Sequence, residues 1–234
     1  MMFTKWLKSI AVLFVLSWGT NAFAAIVTKP TNLVDGDQYR LVFVTSGTRN
    51  ALSANIADYN SFVTQQANLS PELAALNTTW KVIGSTTTVN ARDNTGTNPT
   101  LTGGVPFYRL DGGLVAANNT ELWSSNIRIP LNITQTGLVF GNEIMTGTFA
   151  DGTTVSQRAL GNAGGIVQAG LGREIDLRWI SYNQFNTFQQ WPFYAMSDVL
   201  TVSSAVPEPN SMMLVGLGMF MRSATSRRFR KGAA

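Results

Sequence analysis

Five aromatic side chains recur at every third position late in the chain: Trp179, Tyr182, Phe185, Phe188 and Trp191. The residues between them supply five amide side chains: Asn183, Gln184, Asn186, Gln189 and Gln190. Rings can cover the apolar face of a sugar while amides hydrogen-bond its hydroxyl groups. The series therefore predicts a glycan-binding surface formed by these five aromatic residues. A spacing of three suits a 3₁₀-type path, which would present the rings on one side.

A second interpretation of the same aromatic series is structural. In a domain without disulfides, the rings would pin a long loop onto the hydrophobic core. Composition favours this interpretation, because aromatic side chains are more often buried than displayed. We therefore treat the five aromatic residues as candidate ligand contacts, and their burial decides between the two interpretations.

Several acidic residues are further candidates for chemistry. Asp35 and Asp37 flank a glycine and could offer hard oxygen ligands to calcium, but so short and isolated a spacing is more typical of a polar turn. Asp93, Asp111 and Asp151 each precede Gly or Asn, which also indicates turns. We predict no metal site from these residues.

A carboxylate pair for glycoside hydrolysis could come from Glu143, Glu174 and Asp176, yet no sequence pattern brings any two of them together. The chain has no His and no Cys, which excludes zinc sites and the Ser-His-Asp and Cys-His catalytic groups. It also removes the commonest general base. We therefore expect a non-catalytic protein that needs no cofactor.

The distribution of charged residues along the chain excludes nucleic acid as a partner. The chain of 234 residues carries a net charge of +4, but seven of its 17 basic residues lie near the two ends. Residues 25–205 hold 10 basic and 12 acidic side chains, a net charge of −2. Such a domain has no excess of positive charge with which to hold a phosphate backbone.

The N-terminal segment 1–24 is typical of a secretory signal peptide. Lys5 and Lys8 provide the positive region, Ile10–Trp18 is apolar, and Ala22-Phe23-Ala24 fits the small-residue cleavage pattern. The apolar run is too short for a membrane anchor, which needs roughly 20 residues. We expect signal peptidase to produce a mature chain that begins at Ala25 or one residue later. Intact-mass analysis of the exported protein checks this, and retention of Met1 would contradict it.

Segment 206–234 combines three features that are typical of a sorting signal. Pro207, Glu208 and Pro209 precede an apolar stretch, Ser211–Met221, and a basic cluster over residues 227–231. Prolines keep the processing site extended, and basic residues hold the tail on the cytoplasmic side. This order resembles the bacterial PEP-CTERM signal. The resemblance implies transient association with the inner membrane, removal of the tail by an exosortase, and delivery to the cell surface or extracellular matrix.

Local patterns between these signals predict an α+β domain over residues 25–205. The alternation in Gln38–Thr45 predicts a strand. Asn55 is a candidate N-cap of a helix that extends to Asn68, and Ser70 with Pro71 begins a second short helix. No helical pattern follows Trp80. Further strands are predicted at 80–84, 105–110, 137–140, 143–149 and 193–202, with Gly-rich connections at 94–104 and 161–172.

Several runs of this domain resemble the endostatin-like branch of the C-type-lectin-like fold. They include Tyr39–Arg49, Ile56–Phe62, Trp80–Ser85 and Pro192–Ser197. The resemblance implies two N-terminal helices on a mostly antiparallel sheet with long loops, here without disulfides. We expect the core to include Phe43, Tyr59, Phe62, Trp80 and Trp123. The calcium-binding sugar motifs of the lectins are missing, so any glycan recognition should be calcium-independent.

The sequence leaves open three functions for an exported protein of this kind. The first is a surface or matrix module that binds polysaccharide. The second is a structural matrix component without a discrete ligand site, and the third is a glycoside-active enzyme. Saturable binding to a polysaccharide distinguishes the first function from the second.

Overall fold

The computed structural model describes residues 25–203, and these contain nine strands. The strands are β1 (Gln38–Val44), β2 (Trp80–Val82), β3 (Phe107–Arg109), β4 (Leu114–Ala116), β5 (Glu143–Met145), β6 (Ile166–Leu171), β7 (Asn183–Asn186), β8 (Tyr194–Ser197) and β9 (Leu200–Thr201). The predicted signal peptide and the predicted sorting signal, including Pro207, Glu208 and Pro209, lie outside the described residues.

The strands form two sheets. The larger sheet has the order β2-β8-β1-β3-β4, and β9 continues the pairing along β1 beyond β8. Only β1 and β3 pair in parallel; all other named strand pairs within residues 25–203 are antiparallel. The smaller sheet has the order β5-β6-β7. The predicted α+β class with a mostly antiparallel sheet is confirmed at this level.

The helices of residues 25–203 are short apart from the first. They are α1 (Ile56–Ala67), α2 (Pro71–Ala74), α3 (Ala91–Asn94), α4 (Asn119–Leu122) and a 3₁₀ turn (Leu177–Trp179). The two predicted helices are confirmed with their caps: Asn55 Oδ1 accepts from the Ala57 N–H at 3.1 Å, and Ser70 Oγ accepts from the Leu73 N–H at 3.4 Å.

The prediction that no helix follows Trp80 was wrong. Both α3 and α4 have four residues each, too few to show a 3.6-residue period in the sequence. Asn118 caps the N-terminus of α4, because its Oδ1 accepts from the Glu121 N–H at 2.9 Å. Single helical turns of this kind depend on caps and on tertiary packing more than on an amphipathic pattern.

Two strand predictions also need correction. Residues 137–140 form no strand, and only an isolated bridge joins Ile133 to Val139, whose side chain is exposed. The predicted connection 161–172 instead contains β6, with Val167 and Ala169 buried. Glycines in and before β6 interrupt the alternation of apolar residues that would predict a strand. Gly170 is required there, because a Cβ would lie 2.1 Å from the carbonyl oxygen of Trp179.

The core consists of two hydrophobic clusters on opposite faces of β1. Leu41 and Phe43 join the cluster that α1 covers, whereas Val42 and Val44 join the other, which includes Trp123 and Trp179. Because side chains alternate along a strand, burial of both faces makes β1 the centre of the fold. Of the five predicted core residues, Phe62 is only partly buried. The other four are buried: Phe43, Tyr59, Trp80 and Trp123.

Candidate functional site

The structure divides the five aromatic residues of the series between core and surface. Trp179 is 0% exposed, and its ring lies 6.3 Å from the ring of Trp123 and 5.6 Å from that of Tyr194. The prediction that Trp179 contributes to a ligand surface was therefore wrong. It is a core residue, as the structural interpretation of the series expects.

Phe185 and Trp191 hold an intermediate position. Both are half-buried against the core cluster beneath α1, and their ring centroids lie 4.7 Å apart. Phe185 pairs with Val167 across β6 and β7, so both side chains face that cluster. The stack anchors the end of β7 to the body of the domain.

Tyr182 and Phe188 are the two exposed members of the series, with 49% and 67% of their surfaces accessible. They flank β7, which is an extended strand where the sequence predicted a 3₁₀-type path. Positions three apart on a strand point to opposite faces, which is why the rings do not form one row. Tertiary pairing with β6 overrides the local spacing.

A groove of about 290 Å³ runs beside β7, and we call it the β7 groove. It is lined by Ile166, Gln184, Phe185, Asn186 and Gln189. Gln189 Oε1 accepts from the Asn186 N–H at 3.2 Å, which holds the turn after the strand. Ile166 was missed by sequence reasoning, because it begins the strand that was predicted to be a Gly-rich connection. The groove thus combines apolar surface with amide donors and acceptors.

A second groove has a volume of about 440 Å³, and we call it the Arg49 groove. Its lining includes Arg49, Asn50, Asp58, Phe62, Gln65 and Gln190. The Arg49 guanidinium lies 4.4 Å from the ring centroid of Tyr59 and 5.7 Å from that of Phe62. Burial raises the pKa of Tyr59 to about 12, and its hydroxyl donates to the Ser53 carbonyl oxygen at 2.7 Å.

Backbone hydrogen bonds join Arg49 to Trp191, the residue that follows Gln190 in the chain. The Arg49 N–H donates to the Trp191 carbonyl oxygen at 3.2 Å, and the Trp191 N–H donates to the Arg49 carbonyl oxygen at 3.1 Å. Gln189 lines one groove and Gln190 the other. Sequence reasoning assigned Arg49 no role, because its contact with α1 forms only when the preceding loop folds back onto the helix.

Of the three candidate catalytic carboxylates, the structure brings two together on one cation. Arg178 Nη2 lies 2.7 Å from a Glu174 oxygen and 2.9 Å from an Asp176 oxygen. Hydrogen bonding from Arg178 holds the pKa of Asp176 below its ordinary value. A general acid for glycoside hydrolysis needs a raised pKa, so this arrangement does not resemble such a site. Glu143 lies on β5, opposite Leu171.

The remaining acidic candidates lie in turns. Asp37 Oδ2 accepts from the Val34 N–H at 2.9 Å, Asp111 Oδ1 from the Gly113 N–H at 3.1 Å, and Asp151 Oδ1 from the Thr153 N–H at 3.0 Å. These contacts match the predicted polar turns. Within residues 25–203, no cluster of three or more acidic side chains is placed to hold a metal ion.

Comparison with known families bears on the C-terminal end. Residues 205–231 match the PEP-CTERM protein-sorting motif. The matched residues include Pro207, Glu208 and Pro209, so the predicted sorting signal is confirmed. The motif indicates an exported surface protein that an exosortase processes. No curated protein matches the chain. None of the helices in residues 25–203 is long and apolar enough to cross a membrane.

Proposed function

We propose that residues 25–205 form a non-catalytic, calcium-independent module that binds polysaccharide at the cell surface or in the extracellular matrix. The sorting motif supports the location, because it indicates delivery of the chain to that environment. The β7 groove supports the ligand class, and it is the single observation that carries the proposal.

The chemistry of the β7 groove suits a sugar. Phe185 and Ile166 offer apolar surface, and Gln184 and Asn186 offer amide groups to hydroxyls. Sugars present an apolar ring face with hydroxyls around it, so a neutral groove of this composition complements them. Because such sites are shallow, we expect weak binding for each sugar unit.

We also propose that this domain has the C-type-lectin-like fold of the endostatin-like branch. Support comes from the order of elements, with α1 and α2 preceding most of a predominantly antiparallel sheet. The sequence runs that resemble this branch lie on β1, α1, β2 and β8. The chain lacks the cysteines that usually staple such domains, so its two core clusters must supply the stability.

The alternative is a structural matrix component without a discrete ligand site. The burial of Trp179 and the stacking of Phe185 on Trp191 favour it, because rings that hold a loop to the core need no ligand. Polysaccharide binding separates the two functions, since a structural component would show no saturable binding to any glycan.

Replacing Gln184 or Asn186 of the β7 groove with alanine is expected to weaken glycan binding about tenfold in each case, which corresponds to a loss of about 1.4 kcal/mol. The melting temperature should change little, because both side chains are exposed. Phe185→Ala should instead lower stability, since it removes a half-buried ring from the stack with Trp191. The measurements are calorimetric titration with a polysaccharide panel and thermal unfolding of the exported protein.

Asn183→Ala is the matched control, because Asn183 is an exposed amide residue of β7 that does not line the β7 groove. Its removal should leave binding unchanged. A chelator of calcium should alter neither binding nor stability. Loss of binding on chelation would contradict the calcium-independent site, and absence of binding to every polysaccharide would leave the structural function in its place.

A further inference from the structure

The Arg49 guanidinium has no carboxylate partner among residues 25–203, and it lines a groove that could hold an anionic ligand. Six of the ten cationic side chains in residues 25–203 form ion pairs with carboxylates. No carboxylate of these residues lies within 4.0 Å of the Arg49 guanidinium. Arg49 is half-buried and lines a groove wide enough for a sugar unit. A guanidinium in this setting is free to bind an anion from outside the chain.

The hydrogen bonds of Arg49 leave capacity for such an anion. Its Nε–H donates to the Asn50 carbonyl oxygen at 3.3 Å, and Nη1 donates to the Asp58 carbonyl oxygen. A guanidinium has five N–H donors. Both contacts are to neutral backbone oxygens, so they orient the group without neutralising its charge. Three donors therefore have no partner among residues 25–203.

The rings beneath the guanidinium hold it in place. Tyr59 is fully buried on α1, and Phe62 lies one helical turn further along the same face. Arg49 Cζ lies 4.4 Å from the ring centroid of Tyr59 and 5.7 Å from that of Phe62, and these cation–π contacts restrain the guanidinium. A planar fork that is already restrained loses less conformational entropy when it binds a carboxylate with two parallel hydrogen bonds.

We infer that the Arg49 groove binds the carboxylate of an acidic sugar, and that the ligand is a polysaccharide that carries uronic acids. This inference rests on the proposed function and names the class of its ligand. Gln189 of the β7 groove and Gln190 of the Arg49 groove are consecutive in the chain. A polymer can therefore place a carboxylate on Arg49 while a neighbouring sugar occupies the amide-lined groove.

Asp58 is the acidic residue that lines the Arg49 groove, and its charge opposes the bound anion. Its carboxylate accepts from Ser53 Oγ at 2.6 Å and from Asn55 Nδ2 at 3.5 Å, beside the N-terminus of α1. These bonds direct the carboxylate to the helix cap rather than to Arg49. Removing the Asp58 charge should strengthen the binding of an acidic sugar and leave that of a neutral sugar unchanged.

The test compares oligomers of polygalacturonate with the same oligomers after reduction of their carboxyl groups, using the exported protein in low salt. We expect the acidic oligomer to bind about tenfold more tightly than the reduced one, and added salt to shrink this difference. Arg49→Gln should abolish the difference, and Arg49→Lys should restore part of it. Asp58→Asn should increase it.

Arg158→Gln is the matched control for net charge, because Arg158 is an exposed arginine outside the Arg49 groove. It should leave the preference intact. Equal binding of both oligomers, with no effect of Arg49→Gln, would overturn the inference while leaving the proposed function in place. Failure to bind any polysaccharide would overturn both. If Arg49→Gln does not fold, the wild-type preference and the effect of Asp58→Asn still decide the matter.

Discussion

Replacing Trp80 with alanine is expected to lower the free energy of unfolding by about 3–5 kcal/mol. Trp80 lies on β2 and is 2% exposed, with its ring 5.1 Å from that of Phe43 in an edge-to-face contact. Helix α1 packs over this strand, and Thr64 Oγ1 donates to the Trp80 carbonyl oxygen at 3.2 Å. Truncation would therefore leave a cavity between the helix and the centre of the sheet.

The loss of stability in the Trp80→Ala variant should be easy to measure, because the domain has no disulfide bond to offset it. The chain has no cysteine, and domains of this kind are stable by only about 5–15 kcal/mol. For a domain of this size, the expected loss corresponds to a fall in melting temperature of about 6–20 °C. Chemical denaturation and thermal unfolding of the exported protein measure it.

Leu101→Ala is the control for the Trp80 prediction, because Leu101 is 80% exposed and its truncation should change stability by less than about 0.5 kcal/mol. Trp80→Phe should fall between the two, since it keeps an aromatic ring against Phe43. A Trp80→Ala variant as stable as the Leu101→Ala variant would show that the α1 face is not a packed core.

Replacing Glu208 with alanine is expected to abolish processing at the sorting motif and to leave the full-length protein in the inner membrane. Glu208 is the acidic residue between the two prolines of the matched motif. From the sequence we expect the flanking prolines to disfavour a helix here and to leave the Glu208 carboxylate accessible to a processing enzyme. Without the charge, the apolar segment and the basic tail should remain attached and hold the protein in the bilayer.

Cell fractionation and mass spectrometry of the C-terminus measure the effect of Glu208→Ala. Asn210→Ala is the matched control, because Asn210 follows the Pro-Glu-Pro triplet directly and its loss should leave delivery unchanged. Surface delivery of the Glu208→Ala variant at the normal level, with the tail removed, would refute a sorting role for this carboxylate.

Local patterns predicted the elements whose stability is largely local. Helix α1 was predicted from its cap and its period, and the cap at Asn55 is present in the structure. Strand β1 was predicted from alternation, although the structure buries both of its faces. In both cases several neighbouring residues carry the same signal, so a sequence pattern suffices.

Strands β6 and β7 could not be predicted in this way. In β6, glycines interrupt the alternation, and Gly170 is there because the backbone of Trp179 approaches closely. In β7, a spacing of three favoured a 3₁₀-type path, but pairing with β6 imposed an extended strand. Pairing between distant segments contributes hydrogen bonds and burial that outweigh weak local preferences.

The sequence by itself determined the sorting motif and the helix caps, because both are short linear signals that act through adjacent residues. Only the tertiary structure decided which rings of the aromatic series are buried and where the two grooves lie. Trp179 and Phe188 are both aromatic members of the three-residue series, yet Trp179 is fully buried and Phe188 is exposed. Arg49 meets Tyr59 and Phe62 only when loop and helix pack together. Burial and cation–π contact are properties of segments that meet in space, so no local pattern encodes them.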